Sequence, residues 1–286
     1  MVPAGAFMRA DASTRGQAAE VVERVLDASL ARPPRTSRPL LVGISGVQGS
    51  GKSTLARELA AAARRRGVRC EVLSLDDFYY GRRDRLRLAR ARHPLFATRG
   101  VPGTHDVALL LRTIDALGRA SERRPVRVPR FDKGRDTRVV PSRWRRATQP
   151  PALILLEGWC VGLPAQAPGA LRRPVNALER DEDRDGRWRG LVNRELEQDY
   201  AHLWRRLDRL VALQAPSFDV VLRWRDEQER ALRMRGAPRA FDRAALPRFL
   251  MHFERLSRHA LRVLPRVADI RLALDRHRRV RAIGGA

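Results

Sequence analysis

Lysine is almost missing from this sequence: of 58 lysine and arginine residues, only Lys52 and Lys133 are lysine. Alanine is abundant as well, and this combination is typical of a GC-rich genome that uses arginine wherever a cation is tolerated. A compact ammonium group binds phosphate differently from a planar guanidinium fork. The two positions that keep lysine are therefore candidate phosphate ligands.

Acidic residues are too few to balance the basic ones, and the formal net charge is +26. Such an excess is compatible with a polyanionic partner such as nucleic acid. The arginines are spread along the chain instead of clustering with aromatic residues on one element, which favours solvated basic faces and the binding of small anions. We expect no nucleic acid as the main partner, and a nucleic-acid-binding ATPase remains an alternative.

Cysteine and long apolar runs are also scarce. Cys70 and Cys160 lie in apolar stretches far apart in the chain, a pattern that favours two buried thiols in a reducing compartment. No apolar run reaches the roughly 18–20 residues of a membrane span, and the first residues lack the pattern of a secretory signal. The expectation is a cytoplasmic protein without a membrane partner, and the sequence does not indicate an oligomeric state.

A glycine-rich motif is the clearest signal that is present. The segment GVQGSGKS at residues 46–53 fits the pattern G-x-x-x-x-G-K-[ST], between an apolar strand and a helix. In this pattern backbone N–H groups cradle phosphates, Lys52 reaches the β- and γ-phosphates, and the Ser53 hydroxyl binds Mg²⁺. The predicted nucleotide-binding residues of this phosphate loop and its helix are Gly46, Val47, Gln48, Gly49, Ser50, Gly51, Lys52, Ser53 and Thr54.

Strand and helix patterns alternate along the chain. A strand at 40–45, a helix at 53–66 and a strand at 70–75 form a βαβ unit and hence a parallel sheet. Residues 76–103 are rich in loops. Further predicted strands are 126–131, 152–158, 218–224 and 269–274, and further helices are 106–117, 187–213, 226–233 and 243–264. The alternation predicts a three-layer α/β domain over residues 38–286, preceded by a helical segment and linker at 1–37.

Carboxylates follow two of these strands. Asp76 and Asp77 come directly after the second strand, and Glu157 ends the strand at 152–157. The carboxyl ends of parallel strands face one crevice, so these groups are predicted to lie near the phosphate loop. One of the two aspartates suits a proton acceptor, and Glu157 suits a magnesium ligand. Two structural interpretations stay open: a helix-capping turn for the aspartates, and a strand-end ion pair with an arginine for Glu157.

Several longer segments together resemble the D-glycerate 3-kinase family. They are GISGVQGSGKSTL, LSLDDFYY, HPLFATRGVPGTHD, RFDKGRDTR, LLEGWCVG, PVNALERDEDRDGRWRGLVNREL and APSFDVVLRWRDEQE. The resemblance covers roughly residues 38–275, and the combination of RGVPGTHD with EGWCVG is its most specific part. The family lies within the wider group of uridine kinases, pantothenate kinases and phosphoribulokinases.

The resemblance implies transfer of the γ-phosphate of ATP, with Mg²⁺, to the 3-hydroxyl of D-glycerate. It also implies a P-loop kinase fold with a five-stranded parallel sheet and helices on both faces. Asp76 matches the catalytic base of the related uridine kinases, and Tyr79 matches an aromatic residue beside the acceptor. A lid is expected around residues 225–240, where Arg225, Arg230, Arg233 or Arg235 could close over the nucleotide, and Arg233 is the predicted nucleotide ligand.

An acceptor that carries a carboxylate needs a cation and groups that bind hydroxyls. The candidate substrate residues are Asp77, Tyr79, Arg99, His105, Arg130 and Lys133. Four of these residues also have a structural interpretation: His105 suits a polar helix start, Arg99 a solvated loop cation, and Arg130 and Lys133 a solvated turn. A different acceptor, such as a nucleoside, pantothenate or another small hydroxy acid, remains the alternative within the same chemistry.

Overall fold

The phosphate loop connects the first strand of the central sheet to the helix that follows it. A computed structural model describes residues 12–31, 38–234 and 245–285 of the chain. The strands, in chain order, are β1 (Leu40–Gly46), β2 (Cys70–Ser74), β3 (Val126–Val128), β4 (Phe131–Asp132), β5 (Thr137–Arg138), β6 (Arg145–Ala147), β7 (Leu153–Gly158), β8 (Arg209–Gln214), β9 (Ile270–Leu274) and β10 (Val280–Gly284).

The helices surround this sheet. They are α1 (Ala12–Leu30), α2 (Lys52–Arg65), α3 (Arg82–Ala91), α4 (Val107–Leu117), α5 (Ala177–Glu182), α6 (Arg187–Glu195), α7 (Ala201–Trp204), α8 (Asp219–Met234) and α9 (Ala245–Val267). A π-helical turn, Leu196–Tyr200, joins α6 to α7. Within the described residues, no helix combines the length and the apolar character that crossing a bilayer demands.

The main sheet has six strands in the order β10-β9-β8-β1-β7-β2. The five strands from β9 to β2 are parallel, and β10 pairs antiparallel with β9. The prediction of a five-stranded parallel sheet therefore holds for the parallel part. It missed the edge strand, because β10 carries no alternating apolar pattern and has no fully buried residue.

Alternating side chains of the sheet enter two separate cores. Leu41 and Leu156 belong to the core on one face, which also contains residues of α4 and α6. Val42 and Leu155 belong to the core on the other face, which contains residues of α1, α2 and α8. Successive strand residues point to opposite faces, so a sheet that is apolar on both sides must be covered by helices on both sides. This confirms the three-layer α/β fold.

The predicted helix over 187–213 is wrong in its last part. It ends at Trp204, and residues 209–214 form β8, which pairs with β1 and β9. Residues Leu210 to Leu213 are all buried, since both faces of a central strand are covered. A short run that is apolar throughout fits a buried strand and a buried helix equally well, and the leucines before it continued the helical spacing.

The predicted strand over 218–224 is also wrong, because these residues begin α8. Phe218, Val221 and Trp224 are buried at intervals of three. Leu222, which a strand would bury together with Trp224, is 42% exposed. The buried residues of this segment therefore follow the helical period. The prediction of a strand was wrong because it relied on the β-branched residues of the segment.

The segment 76–103, predicted as loop, contains α3 and two short 3₁₀ helices. The buried position of α3 is Arg85, whose side chain is 2% exposed. Its guanidinium donates to the carbonyls of Tyr80 at 2.7 Å and Ala97 at 3.2 Å and to the Asp136 carboxylate at 2.6 Å. A helix that buries an arginine has no apolar stripe, so its period cannot be recognised in the sequence.

Other boundaries shift by a few residues. The strand predicted over 126–131 is divided between β3 and β4, which pair with β6 and β5 in two separate two-stranded sheets. Helix α9 continues past Pro265 to Val267. Of the segment 1–37, helix α1 packs on α2 and places Val25 and Leu26 in the core. The division of the chain at residue 37 stays a prediction.

Arg85 offers a test of this arrangement. In Arg85→Ala, Asp136 loses a buried partner and two carbonyls lose their donors, so the free energy of unfolding should fall by about 3 kcal/mol. Arg83→Ala, an exposed arginine on the same helix, should change it by less than about 0.5 kcal/mol. Urea unfolding measures both, and similar values for the two variants would contradict the proposed role of Arg85.

Candidate active site

The phosphate loop depends on glycine at positions where a side chain cannot fit. Gly49 and Gly51 have φ angles of 80° and 94°, in the left-handed region. A Cβ on Gly49 would lie 2.7 Å from Cβ of Trp224 in α8, and one on Gly46 would lie 2.5 Å from Oγ of Ser50. The loop is therefore tightly closed between β1 and α8, with the N-terminus of α2 at its base, where a helix favours anions.

The side chains of the phosphate loop fit a nucleotide with Mg²⁺. Glu157 is 6% exposed, and its Oε1 accepts hydrogen bonds from Ser53 at 2.9 Å and from Ser74 at 2.7 Å. Gln48 and Ser50 carry buried polar atoms without a partner among the described residues. Hydroxyl and carboxylate oxygens are the ligands that Mg²⁺ prefers. Lys52, Ser53 and Glu157 would hold the phosphates and the ion.

Two of the predicted nucleotide-binding residues offer little beyond their backbone. Val47 is buried in the core on the α2 side of the sheet. The N–H of Thr54 donates to the carbonyl of Gly51 at 3.0 Å, which closes the first turn of α2, and its hydroxyl accepts from Arg57 at 3.3 Å. Their contribution to nucleotide binding stays a prediction.

Asp76 lies in the 3₁₀ turn that follows β2, and its carboxylate is 2.5 Å from Nζ of Lys133. Burial acts to raise the pKa of Asp76, but Lys133 and Lys52 outweigh it and hold the pKa well below its usual value. The two lysines of the chain thus act on the same carboxylate. Asp76 is ionised at neutral pH, as a proton acceptor must be.

Asp77 faces a different neighbour. Its Oδ1 accepts a hydrogen bond from the backbone N–H of Phe131 at 2.9 Å, which ties β4 to the end of β2. Burial raises the pKa of Asp77 to about 6. The structure therefore gives Asp77 a structural contact, and its role in binding substrate stays a prediction.

Tyr79 and His105 form a buried stack beside Asp76. Their ring centroids are 4.4 Å apart with an interplanar angle of 23°, and their backbones form an isolated antiparallel bridge. Phe131 packs edge-on against Tyr79 at 5.5 Å. Burial, with Asp76 nearby, raises the pKa of Tyr79 well above its usual value, so the phenol is neutral. The predicted acceptor residues Tyr79, His105 and Lys133 are thus brought together around Asp76.

The other predicted cations, Arg99, Arg130 and Arg233, differ in their surroundings. Arg99 binds Asp136 at 2.5 Å and lies over the ring of Phe131, 5.7 Å from its centroid. Arg130 is exposed, and its side chain has no hydrogen bond or ion pair with the described part of the chain. Of the expected lid, residues 235–244 and the side chain of Arg233 lie outside the described residues. The roles of all three arginines stay predictions.

A residue that the sequence did not reveal is Arg278, in the turn between β9 and β10. Its Nε donates to the carbonyl of Gly49 at 2.7 Å, and its Nη2 donates to the carbonyl of Trp224 at 3.2 Å. The same guanidinium pairs with Glu227 at 2.7 Å. Arg278 therefore joins the phosphate loop to α8, and nothing marks it among the many arginines of the sequence.

Comparison with known proteins adds a family to this geometry. The family model of the methylmalonyl-CoA mutase-associated GTPase MeaB matches residues 7–93, which contain the phosphate loop and β2. This match covers less than half of the chain. It supports nucleotide binding through the loop, includes Asp76, Asp77 and Tyr79, and ends before His105, Lys133 and Glu157.

Two curated relatives extend the match. The uncharacterized kinase mug58 of Schizosaccharomyces pombe is 35% identical over 228 residues, covering 75% of this chain and 79% of that protein. The chloroplastic D-glycerate 3-kinase of Arabidopsis thaliana is 31% identical over 206 residues, which are 69% of this chain. The matched region is 42% of the Arabidopsis protein.

Solved structures agree in fold. D-glycerate 3-kinase from Cryptococcus neoformans superposes with a TM-score of 0.75 at 21% identity, covering 95% of this chain and 98% of that one. The YGR205w protein superposes with a TM-score of 0.68 at 23% identity, covering 87% and 90%. With the motifs, the site geometry and the curated relatives, these findings identify the chain as a member of the D-glycerate 3-kinase family of P-loop kinases, a phosphotransferase that uses ATP and Mg²⁺ and has an alcohol group as acceptor.

Proposed function

We propose that this kinase transfers the γ-phosphate of ATP to the 3-hydroxyl of D-glycerate. The observation that carries the proposal is the ion pair of Asp76 with Lys133 at the carboxyl end of β2, in the field of Lys52. This arrangement combines a proton acceptor with cations that suit an acidic substrate. The name of the Arabidopsis relative supports the same acceptor.

The acceptor would lie between the aromatic stack and the cations. Lys133 and Arg99 are the groups suited to a carboxylate, and Tyr79 and His105 offer hydrogen bonds to hydroxyls. The aromatic rings support a small acceptor over a nucleoside, because Tyr79 is already stacked on His105 and covered by Phe131.

The reaction forms a bond between the acceptor oxygen and the γ-phosphorus and breaks the bond from that phosphorus to the β–γ bridging oxygen. Mg²⁺, which Ser53 and Glu157 would hold, would neutralise charge on the transferred phosphoryl group. Asp76 takes the proton of the acceptor hydroxyl, while Lys52 stabilises the equatorial oxygens. Lys133 holds Asp76 in its ionised form until the acceptor binds, and Ser53 and Glu157 keep the loop in register with β2.

The location of this reaction is part of the proposal. Among the described residues both cysteines, Cys70 and Cys160, are free thiols. Unpaired thiols are typical of a reducing compartment, which supports the cytoplasm as the place where the kinase acts.

The acceptor is tested by ADP release with MgATP against D-glycerate, L-glycerate, pantothenate, uridine, ribulose 5-phosphate and duplex DNA. Strong turnover with D-glycerate alone is expected. Turnover with a different alcohol and none with D-glycerate would keep the kinase and overturn the acceptor. Stimulation by DNA alone would show that the net charge of +26 marks a nucleic-acid partner.

Replacing the proton acceptor separates chemistry from binding. Asp76→Asn should lower kcat by roughly 10²–10⁴-fold, the usual contribution of general base catalysis. The KM for MgATP should stay within about threefold, because the phosphate loop is unchanged. Asp84→Asn, at an exposed position of α3, is the matched control and should behave like the parent. An unchanged kcat in Asp76→Asn would remove Asp76 from this role.

Arg278 gives a second test, on the nucleotide side. Arg278→Ala removes the donor to the Gly49 carbonyl and should raise the KM for MgATP by about tenfold, the effect of losing one charged hydrogen bond. The KM for the acceptor should change little. Arg281→Ala, an exposed arginine of β10, is the control. Equal KM values for MgATP in the two variants would show that the contact does not support the loop.

A further inference from the structure

Tyr200 is a fully buried residue at the end of the π-helical turn Leu196–Tyr200. A π-helical turn is uncommon and shifts side chains out of the regular helical register. Here it accompanies a tyrosine whose hydroxyl reaches the segment that carries His105. The hydroxyl accepts a hydrogen bond from the backbone N–H of Gly103 at 3.2 Å and lies 2.5 Å from Nδ1 of His105.

The two contacts determine where the protons lie. A phenol has one proton and two lone pairs on its oxygen, and the Gly103 N–H occupies one lone pair. Burial raises the pKa of Tyr200 well above its usual value, so the phenol keeps its proton. Within the described structure, Nδ1 of His105 is the acceptor found within hydrogen-bonding distance of that proton. Nδ1 therefore accepts from Tyr200.

The opposite tautomer, with the proton on Nδ1, leaves more polar groups without a hydrogen-bonding partner. If Nδ1–H donated to Tyr200, the phenol proton and Nε2 would both lack partners in the buried cluster. With Nδ1 as acceptor, only the proton on Nε2 lacks a partner among the described residues around the ring. Burial lowers the pKa of His105 to about 3, so the ring is neutral and carries one proton. Because unpaired buried polar groups are costly, the tautomer protonated on Nε2 is favoured.

The remaining N–H belongs to a buried ring that is stacked on Tyr79. His105 is 3% exposed, and its Nε2 has no hydrogen-bonding partner among the described residues. The ring is stacked on Tyr79 and is close enough to Asp76 for the two groups to affect each other's charge. A buried donor without a partner, beside the proposed base, calls for an oxygen atom of a ligand.

We propose that Tyr200 is a positioning residue that holds His105 in the tautomer protonated on Nε2, and that this N–H donates a hydrogen bond to an oxygen of the acceptor substrate. The second half rests on the proposed function, while the first half is a property of the protein alone. A ligand oxygen, from a hydroxyl or a carboxylate, fits this donor. An ammonium group or another pure donor does not.

The tautomer is measured without any substrate. Protein labelled with ¹⁵N-histidine, at neutral pH, should show for His105 a protonated Nε2 and an unprotonated, hydrogen-bonded Nδ1 in two-bond ¹H–¹⁵N spectra. The signals are assigned by their loss in His105→Gln. A proton on Nδ1 in the parent protein would overturn the proposal at once, whatever the kinase phosphorylates.

Removing the hydroxyl tests the role of Tyr200. In Tyr200→Phe the Nδ1 signal should lose its hydrogen-bond shift, and the ring should populate the second tautomer. Tyr80→Phe is the matched control, since its hydroxyl has no hydrogen bond to the described residues, and it should leave His105 unchanged. An unchanged His105 spectrum in folded Tyr200→Phe would refute the positioning role.

The substrate half is tested with whichever alcohol proves to be turned over. Tyr200→Phe should raise the KM for that acceptor roughly tenfold, the size of one hydrogen bond, and leave the KM for MgATP unchanged. The amide of His105→Gln offers a donor near Nε2 that needs no tautomer, so Tyr200→Phe should add little in that background. The proposal would be contradicted if the effects of Tyr200→Phe and His105→Gln on the KM for the acceptor were fully additive. It would also be contradicted if Tyr200→Phe raised the KM for MgATP as much as the KM for the acceptor.

Discussion

The carboxylate of Glu157 connects the two halves of the active site. It accepts one hydrogen bond from Ser53, in the first turn after the phosphate loop, and one from Ser74, just before Asp76. The register of the sheet makes this possible, because Glu157 on β7 is paired with Ile44 on β1 and with Ser74 on β2. A strand placed between two parallel neighbours thus brings the nucleotide side and the acceptor side to one edge, and the rest of the site is arranged around that edge.

Much of this edge could be predicted from the sequence, since it consists of local patterns. The phosphate loop follows a strand, and Asp76, Asp77 and Glu157 stand at strand ends, where the parallel topology places them in one crevice. Lys133 and Lys52, the two lysines of the chain, both lower the pKa of Asp76, and their role as phosphate ligands stays a prediction. The secondary-structure prediction failed for elements in which the pattern of buried residues does not show a helical or strand period. Strand β8 is apolar on both faces, and α3 buries Arg85 in place of an apolar stripe.

Residues that support the site from a distance carried no signal at all. Arg278 reaches the phosphate loop across 229 positions of sequence, and Tyr200 reaches His105 across 95. Arg278 is one of many arginines in the sequence. Tyr200 follows the apolar spacing of the predicted helix over 187–213, which indicated a core residue. Such contacts can be predicted only when the order of the strands in the sheet is known. They show a site supported by hydrogen bonds that involve α8, the β9–β10 turn and the π-helical turn, with the proposed reacting groups on short turns at the sheet edge.

The identity of the product tests the central claim most directly. Incubation with MgATP and D-glycerate, followed by ³¹P NMR with proton coupling, distinguishes a phosphate on the 3-oxygen, which couples to two methylene protons, from one on the 2-oxygen, which couples to a single proton. The proposed function predicts the 3-phosphate. A product phosphorylated on the 2-oxygen, or release of inorganic phosphate with no phosphorylated glycerate, would contradict the account.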